Sequence, residues 1–327
     1  MRRFLALIAI PLLACMVLAG CGGSSKSTAS SSSSASAGSS PGANTAVTAT
    51  GAFDKTPKVT IPKAKPGTGL TVKTLIQGSG TTLTKSDALA ANFVLYFWQG
   101  TSSTLKASTF GTNPTVIGGT MLPGLESALI GKKVGSRILA VIPPAQGYGT
   151  SGNSQLGITG STTLVFVIDV LKSYSDTAGA TGAQVSTGGG SLPTVSAKSG
   201  TAPTLIFPSS SPPSALVTKT LVKGSGPKVA KGDYVIAQYV GYIWRTKKVF
   251  TSSWSSKTPF LFIIGASPSK VITGWDKGLT GQIVGSRVML SIPPADGYGS
   301  AGQSQAGVTG KDTMVFVVDI LDAFKQG

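Results

Sequence analysis

Residues 271–299 read VITGWDKGLTGQIVGSRVMLSIPPADGYG, and residues 121–149 read MLPGLESALIGKKVGSRILAVIPPAQGYG. Aligned without a gap they are identical at 14 of 29 positions, which makes them two copies of one unit rather than a chance likeness. Each copy reads as a short helical stretch, a tight turn at Val-Gly-Ser-Arg, a strand running into Ile-Pro-Pro, and a loop closed by Gly-Tyr-Gly. Tyr148 and Tyr298 occur in both, but Trp275 of the second copy is Leu125 in the first.

Outward from this stretch the repetition continues. PKVTIPKAKPGTGLTVKTLIQGSG (57–80) matches PTLIFPSSSPPSALVTKTLVKGSG (203–226), and TTLVFVIDVL (162–171) matches DTMVFVVDIL (312–321). A period this long is a domain duplication, not a solenoid. In the second copy the strand candidates are Ala215–Val222, Asp233–Trp244, Phe260–Ile264, Arg287–Ile292 and Thr313–Leu321. Val288, Leu290 and Ile292 alternate onto one face, as do Met314, Phe316, Val318 and Ile320. The helix candidates are Gly274–Ile283 and, in the first copy, Gly124–Lys133. Gly278 and Gly281 lower helix propensity there, so tertiary packing must hold the second one. Antiparallel strands with one short helix give an α+β domain whose sheet packs on that helix.

The chain has 327 residues, a formal charge of +17 and no histidine. Its lysines are scattered and not interleaved with aromatics in a basic block, so no nucleic-acid partner is expected. The charge fits either an anionic envelope partner, lipid or polymer, or a solvated basic face. Without histidine, the commonest general base and metal ligand is missing. Both cysteines, Cys15 and Cys21, fall at the amino terminus, so the body of the chain has no thiol site and no Cys/His metal site. No cofactor is expected.

Met1-Arg2-Arg3 followed by apolar Phe4–Leu18 fits a secretory signal, being too short and too kinked at Pro11 to span a membrane. Leu18-Ala19-Gly20-Cys21 resembles the bacterial lipoprotein signal. The resemblance implies removal of residues 1–20, lipidation of Cys21, and a mature protein anchored by acyl chains outside the cytoplasmic membrane. Residues 21–56, rich in Ser, Ala, Thr and Gly, read as a flexible tether, and 175–202 as a second linker.

Six motifs of the second copy fall in one order: Ala-Gln-Tyr239-Val-Gly241, Lys-Lys-Val-Phe250-Thr-Ser-Ser253, Pro259-Phe260-Leu-Phe262, Val271-Ile272-Thr-Gly274-Trp275, Ile292-Pro-Pro with Gly297-Tyr298-Gly299, and Val315-Phe316. Together they resemble the FKBP-type peptidyl-prolyl isomerases, over about Leu216–Phe324 and more weakly over Leu70–Tyr174. The resemblance implies two FKBP-like domains, 57–174 and 203–327, each a bent antiparallel sheet wrapped around one short helix. It also implies an aromatic pocket lined by Tyr239, Phe250, Phe260, Val271, Ile272, Trp275, Tyr298, Val308 and Phe316, with Trp275 as its floor. The substrates would be proline-containing exported polypeptides. Residue by residue, Phe260, Phe262 or Phe316 seen alone reads as core before pocket wall, whereas Tyr298 in its Gly-rich loop is less expected for packing alone.

The departures from the family fall mainly in the first copy. Phe93 stands for Tyr239, Lys106 for Phe250, Thr115 for Phe260 and Leu125 for Trp275, while Tyr148, Ile158 and Phe166 keep their types or nearly so. The first copy is therefore expected to be a folded domain with weak or absent activity. In the second, Thr251 stands where the family often has Asp, and the loop after Tyr298 is small and polar. A non-catalytic binding or chaperone module is the competing reading of both copies.

Overall fold

The structure, a computed structural model, describes residues 42–325. The expected signal segment 1–20, Cys21 and tether residues 22–41 lie outside the described residues. The first copy comprises β1 (Thr48–Thr50), β2 (Lys58–Thr60), β3 (Thr71–Ile76), β4 (Asp87–Gln99), β5 (Ser102–Ser108), β6 (Thr115–Ile117), α1 (Pro123–Leu129), β7 (Arg137–Ile142) and β8 (Thr163–Ser175). The second comprises β9 (Ala183–Gln184), β10 (Thr194–Ser196), β11 (Thr204–Ile206), β12 (Val217–Lys223), β13 (Tyr234–Ile243), β14 (Lys248–Ser252), β15 (Phe260–Ile263), α2 (Thr273–Leu279), β16 (Arg287–Ile292) and β17 (Met314–Phe324).

Both main sheets are antiparallel throughout. The first has the order β3-β7-β8-β4-β5 with β6 also on β4; the second has β14-β13-β17-β16-β12-β9 with β15 also on β13. The predicted alternation decides which residues face which layer. Val288, Leu290, Ile292, Met314, Phe316, Val318 and Ile320 pack with Trp275 and Leu279 of α2 on the inner face. Their sequence neighbours Met289, Val315 and Val317 pack on the outer face. Because both faces are covered, β7 and most of β17 are buried at every position.

The helices are shorter than the sequence suggests. They end at Leu129 and Leu279 rather than near Lys133 and Ile283. The chain then leaves each helix to pair elsewhere: the Gly131 amide donates to Leu83 O, and the Gly281 amide to Val229 O. These bonds hold each short helix against the residues leading into β4 or β13, and packing replaces the propensity that the glycines remove.

Two stretches expected to be flexible are folded. Residues 43–60, placed in the tether or at its border, form a 3-10 turn and the β1–β2 hairpin, and Val47 and Ala49 bury against Val94, Trp98, Leu139, Val141, Val165 and Val167. Residues 175–202, expected as a linker, run as an extended strap, add β9 to the edge of β12, and enter the β10–β11 hairpin. There Val195, with Leu192, Leu205 and Phe207, covers Tyr242, Trp244, Met289, Val315 and Val317. The two hairpins stand at the same 146-residue offset as the domains, since Thr48-Ala49-Thr50 aligns with Thr194-Val195-Ser196. The duplicated unit therefore starts earlier than residues 57 and 203. Few apolar residues suffice, because each lands on a sheet face already rich in them.

Beneath each lead-in segment lies a buried ion pair. Arg137 Nε and Nη2 donate to Asp169 at 2.6 and 2.7 Å, and the same arginine donates to the carbonyls of Gly51 and Lys55 in the hairpin loop. In the second copy Arg287 makes the same fork to Asp319, but the covering amide comes from Ala180 of the strap.

Candidate active site

The site of the second copy is assembled where β13, β14, β15 and β17 close over the amino end of α2. Tyr239 and Gly241 face inward from β13. Phe250 enters from β14, Phe260 and Phe262 from β15, and Phe316 from β17. The Trp275 amide donates to Ile272 O at the start of α2, which sets the indole at the centre of the cluster. Its ring lies edge-on to Tyr239 at 5.2 Å, to Phe262 at 5.1 Å and to Phe316 at 5.3 Å between centroids. Phe260 stacks on Phe262 at 5.5 Å and meets Tyr239 at 5.9 Å, and Phe250 meets Phe316 at 5.6 Å. Edge-to-face contacts of this kind lock ring orientation as well as bury area. The Trp275 Nε1–H is buried with no acceptor, so ring contacts rather than hydrogen bonds hold the indole.

Burial divides the cluster in two. Trp275, Val308 and Phe316 are buried, whereas Tyr239, Phe250, Phe260, Val271, Ile272 and Tyr298 are only half-buried. All nine residues expected in the pocket are thus brought together around Trp275 in one cluster. Phe262 is buried with Trp275 and stacks on Phe260.

The hydroxyls of Tyr239 and Thr251 are 3.2 Å apart, so the threonine at the family's frequent Asp position still bonds the tyrosine. Burial pushes the Tyr239 phenol up from its ordinary value, and burial and then Tyr239 itself do the same for Tyr298. Both therefore stay protonated and able to donate at neutral pH. Val308 is held by a bridge between Gln303 and Val308, and the turn after it by Asp312, whose carboxylate accepts from the Thr309 amide and from Arg245. The Arg245 guanidinium holds the Asp312 carboxyl well below the usual carboxylate range.

One lining residue was missed from the sequence. A Cβ built on Gly241 would fall 2.7 Å from Phe316 Cε1, 2.8 Å from Thr251 Cγ2 and 3.0 Å from Phe250 Cε1, so only glycine lets these groups close in. The position aligned with it in the first copy is Leu95, which is buried in that core. That glycine-to-leucine difference was the available signal.

The first copy fills the same space differently. Strand pairing places Lys106 at the bulge of β5 and Phe250 at the bulge of β14, so the expected correspondence holds. Lys106 is exposed, with its ammonium 5.3 Å from the Phe97 ring centre. Phe93, Leu122 and Leu125 are nearly inaccessible, Phe93 meets Phe166 at 5.9 Å between ring centres, and the Tyr148 hydroxyl is buried with no partner among the described residues. A polar cavity of about 340 Å³ lies elsewhere, between 179–182 of the strap and 197–200, at Arg287. It has no aromatic lining and does not suit a proline ring.

The family model for FKBP-type peptidyl-prolyl cis-trans isomerases matches residues 80–171 and 226–321. An FK506-binding protein of Streptomyces anulatus is 37% identical over 110 residues, which cover 34% of this chain and 87% of the relative. The peptidyl-prolyl cis-trans isomerase FKBP9 of Rattus norvegicus is 26% identical over 240 residues, 71% of this chain and 35% of the relative. The crystal structure of FkpA from Escherichia coli matches with 31% identity and a TM-score of 0.31, over 34% of this chain and 49% of that one. With both repeats matched, each across its short helix and most of its sheet, the chain belongs to the FKBP-type peptidyl-prolyl cis-trans isomerase family as a tandem of two such domains.

Proposed function

We propose that the second copy is a working peptidyl-prolyl isomerase, that the first is weakly active or inactive, and that the protein assists the folding of exported polypeptides at a bacterial cell surface. The observation that carries the catalytic part is the contrast between the two pockets. The second keeps six interlocking rings with half-exposed walls, and the first is closed by Leu95, Leu122 and Leu125.

Rotation about a peptide bond costs about 18–20 kcal/mol because twisting breaks amide resonance. A catalyst of this step needs no covalent intermediate and no general base. It must bind the twisted bond better than either planar form. The apolar walls of Phe250, Phe260, Val271 and Ile272 suit a proline ring. A planar amide is the more polar form, so a dry aromatic site disfavours the ground state. The Tyr298 hydroxyl, kept protonated, is the donor for a substrate carbonyl and fixes its orientation.

The test is the rate of a proline-limited refolding reaction with the full chain. Trp275→Leu with Phe260→Thr, which copies the first domain's residues into the second, should lower kcat/KM at least about tenfold, the effect of losing about 1.4 kcal/mol of transition-state binding. Unchanged rates would favour the competing reading of a non-catalytic binding module. The surface assignment rests on the sequence around Cys21. Cys21→Ala should abolish lipid labelling and release the protein from membranes, and retention at the membrane would refute the anchor.

A further inference from the structure

The pocket of the second copy is tied to the first copy through one residue of the strap. The Asp176 amide donates to Ser86 O in the first copy at 3.0 Å, and the Asp176 carbonyl accepts from Gln238 Nε2 at 3.1 Å. Gln238 is fully buried, and its Oε1 accepts from the Ser253 hydroxyl. Ser253 Oγ accepts from the Tyr239 amide at 2.8 Å, and the Ser253 amide donates to Tyr239 O at 3.0 Å. An unbroken relay thus runs from the first copy to the backbone of a pocket wall.

A second contact reaches the same place. Residues 253–259 join β14, which carries Phe250, to β15, which carries Phe260. This loop rests on the first copy's Gly118-Gly119. A Cβ on Gly119 would fall 2.9 Å from Ser256 O and 2.9 Å from Thr258 Oγ1, and Gly119 has φ +67°. Lys257 also lies 4.0 Å from the Asp176 carboxylate.

The first copy has the matching relay but closes it on itself. The Phe93 amide donates to Thr109 Oγ1, Thr109 to Asn92 Oδ1, and Asn92 Nδ2 to Asp54 of its own lead-in hairpin. Only in the second copy does the relay end on a segment leaving the other domain's last strand.

We propose that Gln238 is a positioning residue for the second pocket, and that the first copy serves as the scaffold that holds β14 and the 253–259 loop in catalytic register. The proposal rests on the isomerase reading of the second copy. The test uses the full chain and a proline-containing peptide substrate, comparing wild type, Gln238→Ala, Gly119→Ala and Trp275→Leu, with amide exchange followed at Tyr239 and Ser253. Gln238→Ala and Gly119→Ala should each lower kcat about three- to tenfold with KM held within about twofold, because misplaced walls cost orientation rather than uniform binding. The Tyr239 and Ser253 amides should exchange faster in both variants. Gly119 lies in the first copy, so its effect on kcat is one that a role confined to the second fold would not produce, and it carries the test if Gln238→Ala fails to fold. Wild-type kcat in Gly119→Ala and in any folded Gln238→Ala, beside a loss in Trp275→Leu, would overturn the scaffold proposal and leave the isomerase reading standing. No activity in the wild-type chain would overturn both.

Discussion

Gly241 contributes by having no side chain. Phe250, Thr251 and Phe316 converge on the space a Cβ would occupy. Gly241→Ala should therefore force the two rings apart, at a cost of about 1–3 kcal/mol in stability, as overpacking does, and with a fall in kcat/KM. Chemical denaturation and the refolding assay check the two parts. Unchanged stability and activity would show that the rings can give way freely. The nine ring and aliphatic positions of the cluster that holds Trp275 stand in the sequence in the order and spacing that the family resemblance implies. Gly241 stood inside one of those motifs and was not singled out, since a residue that works by leaving room announces nothing through its chemistry. Lys106 shows the other kind of difficulty. Its correspondence with Phe250 depends on a bulge, and only the pairing of β4 with β5 and β13 with β14 fixes the count.

The strands and the one helix per copy were readable from alternation and from the Gly and Pro punctuation around them, although the helices stop four residues early. The lead-in hairpins were not readable, because composition spoke against them. Stretches of Ser, Thr, Gly and Ala rank as linkers when counted, yet Val47 and Val195 each fall on an apolar sheet face, Val195 beside Leu205 and Phe207 of the domain itself. A few well-placed side chains, each contributing about 1.5–3 kcal/mol when fully buried, outweigh a polar average. The consequence bears on any attempt to isolate the second domain. A chain beginning at Ser214 would leave Val240, Tyr242, Trp244, Met289, Val315 and Val317 uncovered. It should bind a hydrophobic dye and unfold at lower denaturant than a chain beginning at Asp176, which keeps strap and hairpin. Equal midpoints and no dye binding in the shorter chain would show that the hairpin only decorates the sheet.

At the scale of the molecule, the two domains share a polar and aromatic seam as well as the strap. Asp322 accepts from Lys172 Nζ at 2.9 Å and from the Tyr174 hydroxyl at 3.0 Å. Lys172 also sits over the Phe324 ring, which stacks on Tyr234, and the Tyr234 hydroxyl donates to Asn113. Burial, and then Asp322, push the Tyr174 phenol well above its ordinary value, so it stays protonated and able to donate at neutral pH. Charged hydrogen bonds of this sort break at a cost when one partner is removed, because the other is left without compensation. Domains joined only by a slack linker unfold separately, each at its own stability. Here β8 continues through Asp176 into the strap, and the strap supplies Ala180 to Asp319 and β9 to the far sheet. Opening the first domain therefore strips contacts from the second. The full chain should melt in one calorimetric transition, and Asp322→Ala with Asn113→Ala should split it or lower its cooperativity. Two well-separated transitions in the unaltered protein would mean that the seam contributes little, and that the second copy folds without help from the first.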